Sequence, residues 1–335
     1  MIGAAISRLV EQENLTEEEA ADAMRQIMEG DATPAQIAAF LIALRIKGET
    51  IDEITGCARV MRAKVTPVHA PYPDMIGTCG TGGDGAQTFN ISTTAAFVAA
   101  GAGVPVAKHG NRSVSSRSGS ADLLQALGVT IELGPERAAQ CLAEVGITFL
   151  FAPLYHSAMK FAVGPRREIG VRTIFNILGP LTNPAGAQHQ LLGVHRKELT
   201  EPIARVLGNL GSRRAFVVHG ADGLDEVTTT GETYISILNG GTITPLVISP
   251  EQFGLRRAPR GALVGGDAQE NAEITISVLE GKQGHQRDVV LLNAAAALTV
   301  AGATADIAAG LEVAARAIDS GAALEKLRRL QRFTP

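Results

Sequence analysis

A proline-rich stretch, Thr66-Pro67-Val68-His69-Ala70-Pro71-Tyr72-Pro73, separates two parts of this 335-residue chain whose apolar residues recur in different patterns. Upstream, three helix starts are written in full. Thr16 with Glu19, Thr33 with Gln36 and Thr50 with Glu53 each fit the capping box, in which a hydroxyl and a side chain three residues on satisfy orphan N–H groups reciprocally. Pro34 falls at a first helical position, where its missing N–H costs nothing. Behind each cap the apolar residues keep helical spacing: Ala20, Met24, Ile27, Met28; Ile37, Phe40, Leu41, Leu44; Ile54, Cys57, Val60, Met61. These faces are expected to make a core, with a helical dimer surface as the alternative. Residues 1–69 thus read as a helical domain, and the prolines as its boundary.

Downstream, short apolar runs alternate with helical stripes. The pattern predicts strands at 75–76, 104–107, 147–151 and 214–219, and helices at 92–102, 121–127 and 135–145. A hairpin is expected from 233–237 and 242–247 around Asn239-Gly240-Gly241, and the Ala/Leu-rich tail, 289–330, reads as two helices. The fold class is therefore α/β: a small N-terminal α-helical domain plus a larger α/β domain over 74–335. Its central sheet should be mostly parallel and flanked by helices, with a ligand site at the carboxyl ends of the strands.

Composition narrows the chemistry. Thirty basic against thirty-four acidic residues give a net charge of −4, which speaks against a nucleic-acid binder. Cys57, Cys79 and Cys141 are widely spaced and make neither a disulfide framework nor a zinc site. The first dozen residues lack the layout of a signal peptide, and no run of about 18 apolar residues occurs, so the expectation is a cytoplasmic protein with no membrane partner.

Positive charge is local. Between Gly85 and Ala121 there is no Asp or Glu, while Lys108, Arg112 and Arg117 are present. The stretch opens on Gly80-Thr81-Gly82-Gly83-Asp84-Gly85, continues through Thr88, Asn90, Ile91, Ser92 and Thr93, and returns as Lys108-His109-Gly110-Asn111-Arg112-Ser113-Val114-Ser115-Ser116, with Ser120 beyond. Glycines admit close backbone approach, and consecutive N–H groups, hydroxyls and amides donate to an anion that the cations balance. The opening hexamer matches G-x-G-x-x-G, yet no acidic residue lies about 20 positions on to hold a ribose, and the Gly-Lys-Ser/Thr of a Walker loop is missing. A phosphorylated small molecule is the expected cargo. His109 reads equally as a substrate contact or a structural hydrogen bonder.

Two further motifs qualify that cargo. Asp222-Gly223-Leu224-Asp225-Glu226 crowds carboxylates into one turn, and a hard divalent cation relieves their repulsion; beside a diphosphate, Mg²⁺ fits best. Arg166-Arg167-Glu168 is either a salt-bridged helix face or an arginine fork for a substrate carboxylate.

Taken together, Gly80 to Asp84, Asn90 to Thr93, Lys108 to Arg112, the run from Ser116 to Gly128, Arg166 to Glu168, Arg172-Thr-Ile-Phe-Asn-Ile-Leu-Gly-Pro180 and Asp222 to Glu226 resemble the anthranilate phosphoribosyltransferase family, in order and over nearly the whole chain. The resemblance implies a homodimer formed through the helical domain, which recruits about 159–181 as well. It implies a cleft between domains that joins phosphoribosyl pyrophosphate to the amine of anthranilate in tryptophan biosynthesis. Phosphoribosyl pyrophosphate would meet Gly80, Gly83, Asp84, Thr88, Asn90 to Thr93, Lys108 to Ser116 and Ser120. Mg²⁺ would be held by Ser92, Asp225 and Glu226, and anthranilate would meet Gly80, Asn111 and Arg166. Lys108, His109, Asn111 and Arg166 are the expected catalytic set. One departure stands out: where the family often has His-His, this chain has Tyr155-His156, which bears on the anthranilate channel. The alternatives are a pyrimidine nucleoside phosphorylase-type enzyme and a non-catalytic nucleic-acid-binding relative of the same fold.

Overall fold

The computed structural model describes residues 2–83, 85–113 and 117–334. Four helices come first: α1 (Ile2–Val10), α2 (Glu17–Glu29), α3 (Pro34–Lys47) and α4 (Ile51–Lys64). All three capping boxes form, each threonine hydroxyl accepting the N3 N–H while the N3 side chain accepts the cap N–H. Glu53 does double duty: it also accepts from Leu15 N at 2.9 Å and pairs with Lys47 at 3.0 Å, so the loop before α2 is tied to the loop before α4.

After the prolines the chain alternates as β1 (Ile76–Gly80), α5 (Ile91–Gly101), β2 (Val106–Gly110), α6 (Ser120–Ala126), α7 (Pro135–Val145), β3 (Ile147–Phe151), α8 (Ala152–Tyr155), α9 (Lys160–Ile169), α10 (Phe175–Leu178), β4 (His189–Gly193), α11 (Thr200–Asn209) and β5 (Arg214–Gly220). The hairpin β6 (Thr233–Asn239) and β7 (Thr242–Ile248) follows, then α12 (Ala268–Leu279), α13 (His285–Val300), α14 (Ile307–Asp319) and α15 (Ala322–Phe333). Among the described residues the sheet has seven strands in the order β3-β2-β1-β4-β5-β6-β7; the first five run parallel, and β6 and β7 turn back antiparallel. Strand order reverses between β1 and β4, and a crevice opens beyond the carboxyl ends of neighbours whose connections leave in opposite directions.

The sheet's two faces belong to different cores. Leu191, Phe216, Val218 and Ile235 pack with α5 and α13, whereas Leu192, Val194, Ala215 and Val217 share a core with α11 and the N-terminal helices. Period-two alternation along β4 and β5 makes that division. Ala162, Ile174, Phe175, Leu178 and Leu181 join the helical core, with α9 against α2 and α3 and α10 against α4. Arginines of α4 fasten the helices to the sheet layer: Arg59 donates to Asn209 O at 3.0 Å, and Arg62 to Leu181 O and Leu210 O at 2.7 Å each. These carbonyls include the C-terminal end of α11, where the helix dipole favours a cation.

Three sequence expectations shift. The strand expected at 104–107 begins after Pro105, which has no N–H to give a ladder, and runs on to Gly110. Lys108 and His109 therefore lie inside β2 on opposite faces of the sheet instead of following it. The tail holds three helices, because tight turns at 301–306 and 320–321 interrupt an Ala/Leu pattern that reads as continuous. Strand β4 and helix α12 are elements the apolar pattern left unassigned.

Candidate active site

The crevice at β1 and β4 is a cleft of about 830 Å³. Gly80 and Gly193 end the two strands in register, and both lack a side chain for a reason visible across from them. A Cβ on Gly80 would strike the Asp225 carboxylate, and one on Gly193 would strike the Asp225 carbonyl oxygen. The pair of glycines is a notch that lets the turn after β5 fold down onto the strand ends. There Asp225, 8 % exposed, accepts from Gly82 N at 2.6 Å. Glu226 accepts from Ser92 N at 3.2 Å, at the start of α5. Asp222 stays apart, holding its own turn through Thr228 Oγ1 at 2.7 Å.

Lys108 rises from β2 into the same spot and is 4 % exposed. Its Nζ donates to Thr78 O at 2.9 Å and Ser92 Oγ at 3.3 Å, which uses two of three hydrogens. Burial lowers its pKa, opposed by Cys79, Glu226 and Asp225. Burial first, then the Asp225 charge, push Glu226 up to about 8. Two carboxylates that resist joint ionisation, with a hydroxyl alongside, are a hard-oxygen donor set that suits Mg²⁺. They are too few to complete its shell, and no group of three or more His, Cys, Asp or Glu gathers for a metal among the described residues.

The second half of the cradle is organised by an acidic residue just past the stretch that lacks them. Asp122 accepts from Ser113 N at 3.0 Å and Gly119 N at 2.9 Å and pairs with Arg112 Nη1 at 2.9 Å. Arg112 also lies 5.8 Å over the Phe151 ring. It is thus a loop fastener in this conformation, with its charge matched. Asn111 takes Arg112 N on its Oδ1 at 2.8 Å and stays exposed to the cleft. Ser120 and Gly110 meet closely: a Cβ on Gly110 would hit Ser120 Oγ. Thr88 bridges to Val264, Ile91 and Thr93 are buried at the head of α5, and Asn90 donates to Ser118 O at 3.2 Å. Gly80, Gly83, Thr88, Asn90 to Thr93, Lys108 to Ser113 and Ser120 all line the cleft; Asp84, Val114, Ser115 and Ser116 lie outside the described residues.

Opposite stands a wall from the helical side. Arg166 on α9 lines the cleft with its guanidinium 5.0 Å from the Phe175 ring, and no carboxylate among the described residues pairs with it. Burial lowers its pKa, yet a guanidinium remains charged at any working pH. Arg172, unremarked in sequence beyond its place in the motif, spans both walls: its fork donates to Gly82 O at 2.5 Å and reaches His195 Nδ1 at 3.1 Å, while Arg45 of α3 donates to its carbonyl at 2.8 Å. A Cβ on Gly83 would meet the Arg172 guanidinium, and its φ of +68° disfavours any side chain there.

His109 borders the cleft, but its Nε2 meets His156 Nε2 at 3.2 Å. Burial, then His156, press its pKa down to about 3, and burial presses that of His156 to about 4. A pair held this far below the usual histidine range takes up a proton poorly, which weighs against a proton-accepting role for His109 within the expected catalytic set.

Comparison with known proteins shows the family. Residues 72–324 match the α/β domain of a glycosyl transferase family and residues 4–65 its helical bundle domain. The anthranilate phosphoribosyltransferase of Moorella thermoacetica is 61 % identical over 98 % of this chain and 97 % of its own. The crystal structure of the Thermus thermophilus enzyme superposes with a TM-score of 0.93 at 44 % identity, covering 98 % of this chain and 99 % of that one. That of Saccharomyces cerevisiae, in complex with phosphoribosyl pyrophosphate and Mg, gives 0.91 at 28 % identity, covering 99 % and 97 %. The chain belongs to the anthranilate phosphoribosyltransferases, the transferases of tryptophan biosynthesis that carry the 5-phosphoribosyl group of phosphoribosyl pyrophosphate to the amine of anthranilate and release pyrophosphate.

Proposed function

We propose that the two walls divide the two substrates. The sheet wall takes phosphoribosyl pyrophosphate on Gly80, Gly83, Asn90 to Thr93, Lys108 and the loop to Ser120, with Ser92, Asp225 and Glu226 as the protein ligands of Mg²⁺. When bound, that ion neutralises charge on the pyrophosphate. Anthranilate enters against the helical wall, its carboxylate on Arg166 and its ring edge near Asn111. The observation that carries this reading is the Arg166 guanidinium, which lines the cleft and has no carboxylate partner among the described residues.

The chemistry follows from where charge develops. As the C1–O bond of the ribose breaks, negative charge collects on the departing pyrophosphate, and the remaining hydrogen of Lys108 Nζ is held ready for it by Thr78 O and Ser92 Oγ. Arg166 and Asn111 orient the amine toward C1, which turns a two-body encounter into an oriented one. No residue of the cleft is required as a nucleophile.

In this reading residues 1–69 with about 159–181 form one domain and 74–335 the other, Arg172 lying at their junction. Two copies pair through the helical domain, where Val10 and Ile46 are exposed apolar residues on adjacent helices, and the enzyme works in the cytoplasm. No helix among the described residues is long and apolar enough to cross a membrane. Pyrophosphate release from phosphoribosyl pyrophosphate should require both anthranilate and Mg²⁺. Failure of that turnover, together with phosphorolysis of a pyrimidine nucleoside, would overturn the assignment.

A further inference from the structure

Asn271 on α12 is 1 % exposed and stands behind the cleft lining, not in it. Its two amide atoms are both engaged. Gly266 N donates to Asn271 Oδ1 at 2.8 Å, and Asn271 Nδ2 donates to Asn90 Oδ1 at 3.0 Å. Asn90 in turn donates from Nδ2 to Ser118 O at 3.2 Å.

These bonds have a fixed direction. A backbone N–H only donates, so the Asn271 atom facing Gly266 must be its oxygen, and its nitrogen must face Asn90. Asn90 therefore turns its oxygen to Asn271 and its nitrogen toward Ser118 and the cleft. The Ser118 carbonyl takes one Nδ2 hydrogen, and no acceptor among the described residues takes the other. The Ser118 hydroxyl also lies 3.4 Å from Asn90 Oδ1.

We propose that Asn271 is a positioning residue that fixes Asn90 as a hydrogen-bond donor to the phosphorylated substrate, through a relay that starts at the Gly266 N–H. The surrounding packing serves the same end. Phe89 N donates to Leu263 O at 3.2 Å and Gly265 N to Gln87 O at 2.9 Å, so the segment before α12 is stitched to the segment before α5. A Cβ on Gly265 would strike both Asn271 Oδ1 and the Phe89 backbone. Without the relay, only the Ser118 carbonyl holds the Asn90 amide in this direction, and a half-turn of the amide presents a carbonyl oxygen to an anion.

The inference rests on the assignment of phosphoribosyl pyrophosphate to the sheet wall, and one set of variants separates the two. Asn271→Asp keeps the shape and still accepts from Gly266, but offers Asn90 an acceptor where it had a donor. Asn90 then flips to satisfy it. The KM for phosphoribosyl pyrophosphate should rise about 10-fold or more, as for a lost hydrogen bond to a charged group, with the KM for anthranilate within about twofold. Asn90→Ala should give the same selective loss, and the double variant should be no worse than N90A, since Asn271 acts only through Asn90. Equal rises in both KM values, or a double variant whose losses multiply, would overturn the relay. Should N271D not fold, Asn271→Ala takes its place in the same cycle with the same readouts. If N90A itself leaves the KM for phosphoribosyl pyrophosphate unchanged while the wild type turns over, the site assignment of Asn90 falls, and the relay with it.

Discussion

The two walls of the cleft carry charge in opposite ways. On the sheet wall Lys108, Asp225, Glu226 and Ser92 lean on one another within a few ångströms, and each strand-end position is occupied or emptied to suit its neighbour, as Gly80 and Gly193 are for Asp225. On the helical wall Arg166 stands on an aromatic ring with no carboxylate of its own among the described residues. A site that must hold a metal-bound diphosphate needs several charges placed relative to each other before the ligand arrives. Recognising a single carboxylate needs one fork left open. The costly part of the site is thus the one set at the strand ends, where backbone positions are fixed by a sheet whose first five strands run parallel.

Removing Lys108 should expose that contrast most strongly. Lys108→Ala takes away the donor aimed at the leaving group and leaves Asp225 and Glu226 without the cation that opposes their repulsion. By analogy with loss of one preorganised transition-state donor, kcat should fall about 100- to 1000-fold, with the anthranilate KM little changed. A drop in kcat below about tenfold, or a rise in both KM values instead, would break the view that the sheet wall serves the departing pyrophosphate.

Arg166→Ala is the matching probe of the other wall. It should raise the anthranilate KM about 10- to 100-fold, the worth of a charge-assisted pair, and leave the phosphoribosyl pyrophosphate KM within about twofold. Arg166→Lys should recover only part, because an ammonium lacks the planar fork. Anthranilate methyl ester, which has no charge to offer, should be handled alike by wild type and R166A; a wild-type preference that survives in the ester assay would mean that Arg166 acts on something else.

The same division explains what could be read ahead of the structure. Capping boxes such as Thr16 with Glu19 and the Gly80 turn were legible because their partners lie within a few residues. Gly193 was not, since its reason is the Asp225 carbonyl, which only the return of β5 beside β4 brings near. Asp122 escaped because it sits just past the stretch whose lack of acid drew attention, and its role appears only once the loop folds back onto α6. Strand β4, His-Gln-Leu-Leu-Gly, is buried on both faces, so its sequence carries no apolar–polar alternation to mark it as a strand. Arg172 showed as a motif residue, but its span across two walls is a property of tertiary contact.

The smallest expected effect lies just outside this contrast, on the face of β2 opposite Lys108. His109 and His156 have folded pKa values pressed to about 3 and about 4, below the 6.5 usual for histidine. A depressed histidine contributes stability that is fully present above its unfolded pKa and lost as pH falls toward the folded one. The window here runs from about 6.5 down to about 4, where the unfolded chain binds protons that the native pair refuses. Each histidine should therefore cost about 1.4 kcal/mol at pH 5.5 relative to pH 7.5. His156→Gln keeps a side chain that can hydrogen-bond His109 but removes one titrating group, so urea midpoints measured at the two pH values should lie closer together than in wild type, by about 1 kcal/mol of unfolding free energy. Because the pair is neutral throughout the working range, kcat at pH 7.5 should fall far less than in Lys108→Ala. A loss of kcat comparable to that of Lys108→Ala would support His109 as a member of the catalytic set and make both faces of β2 part of the chemistry.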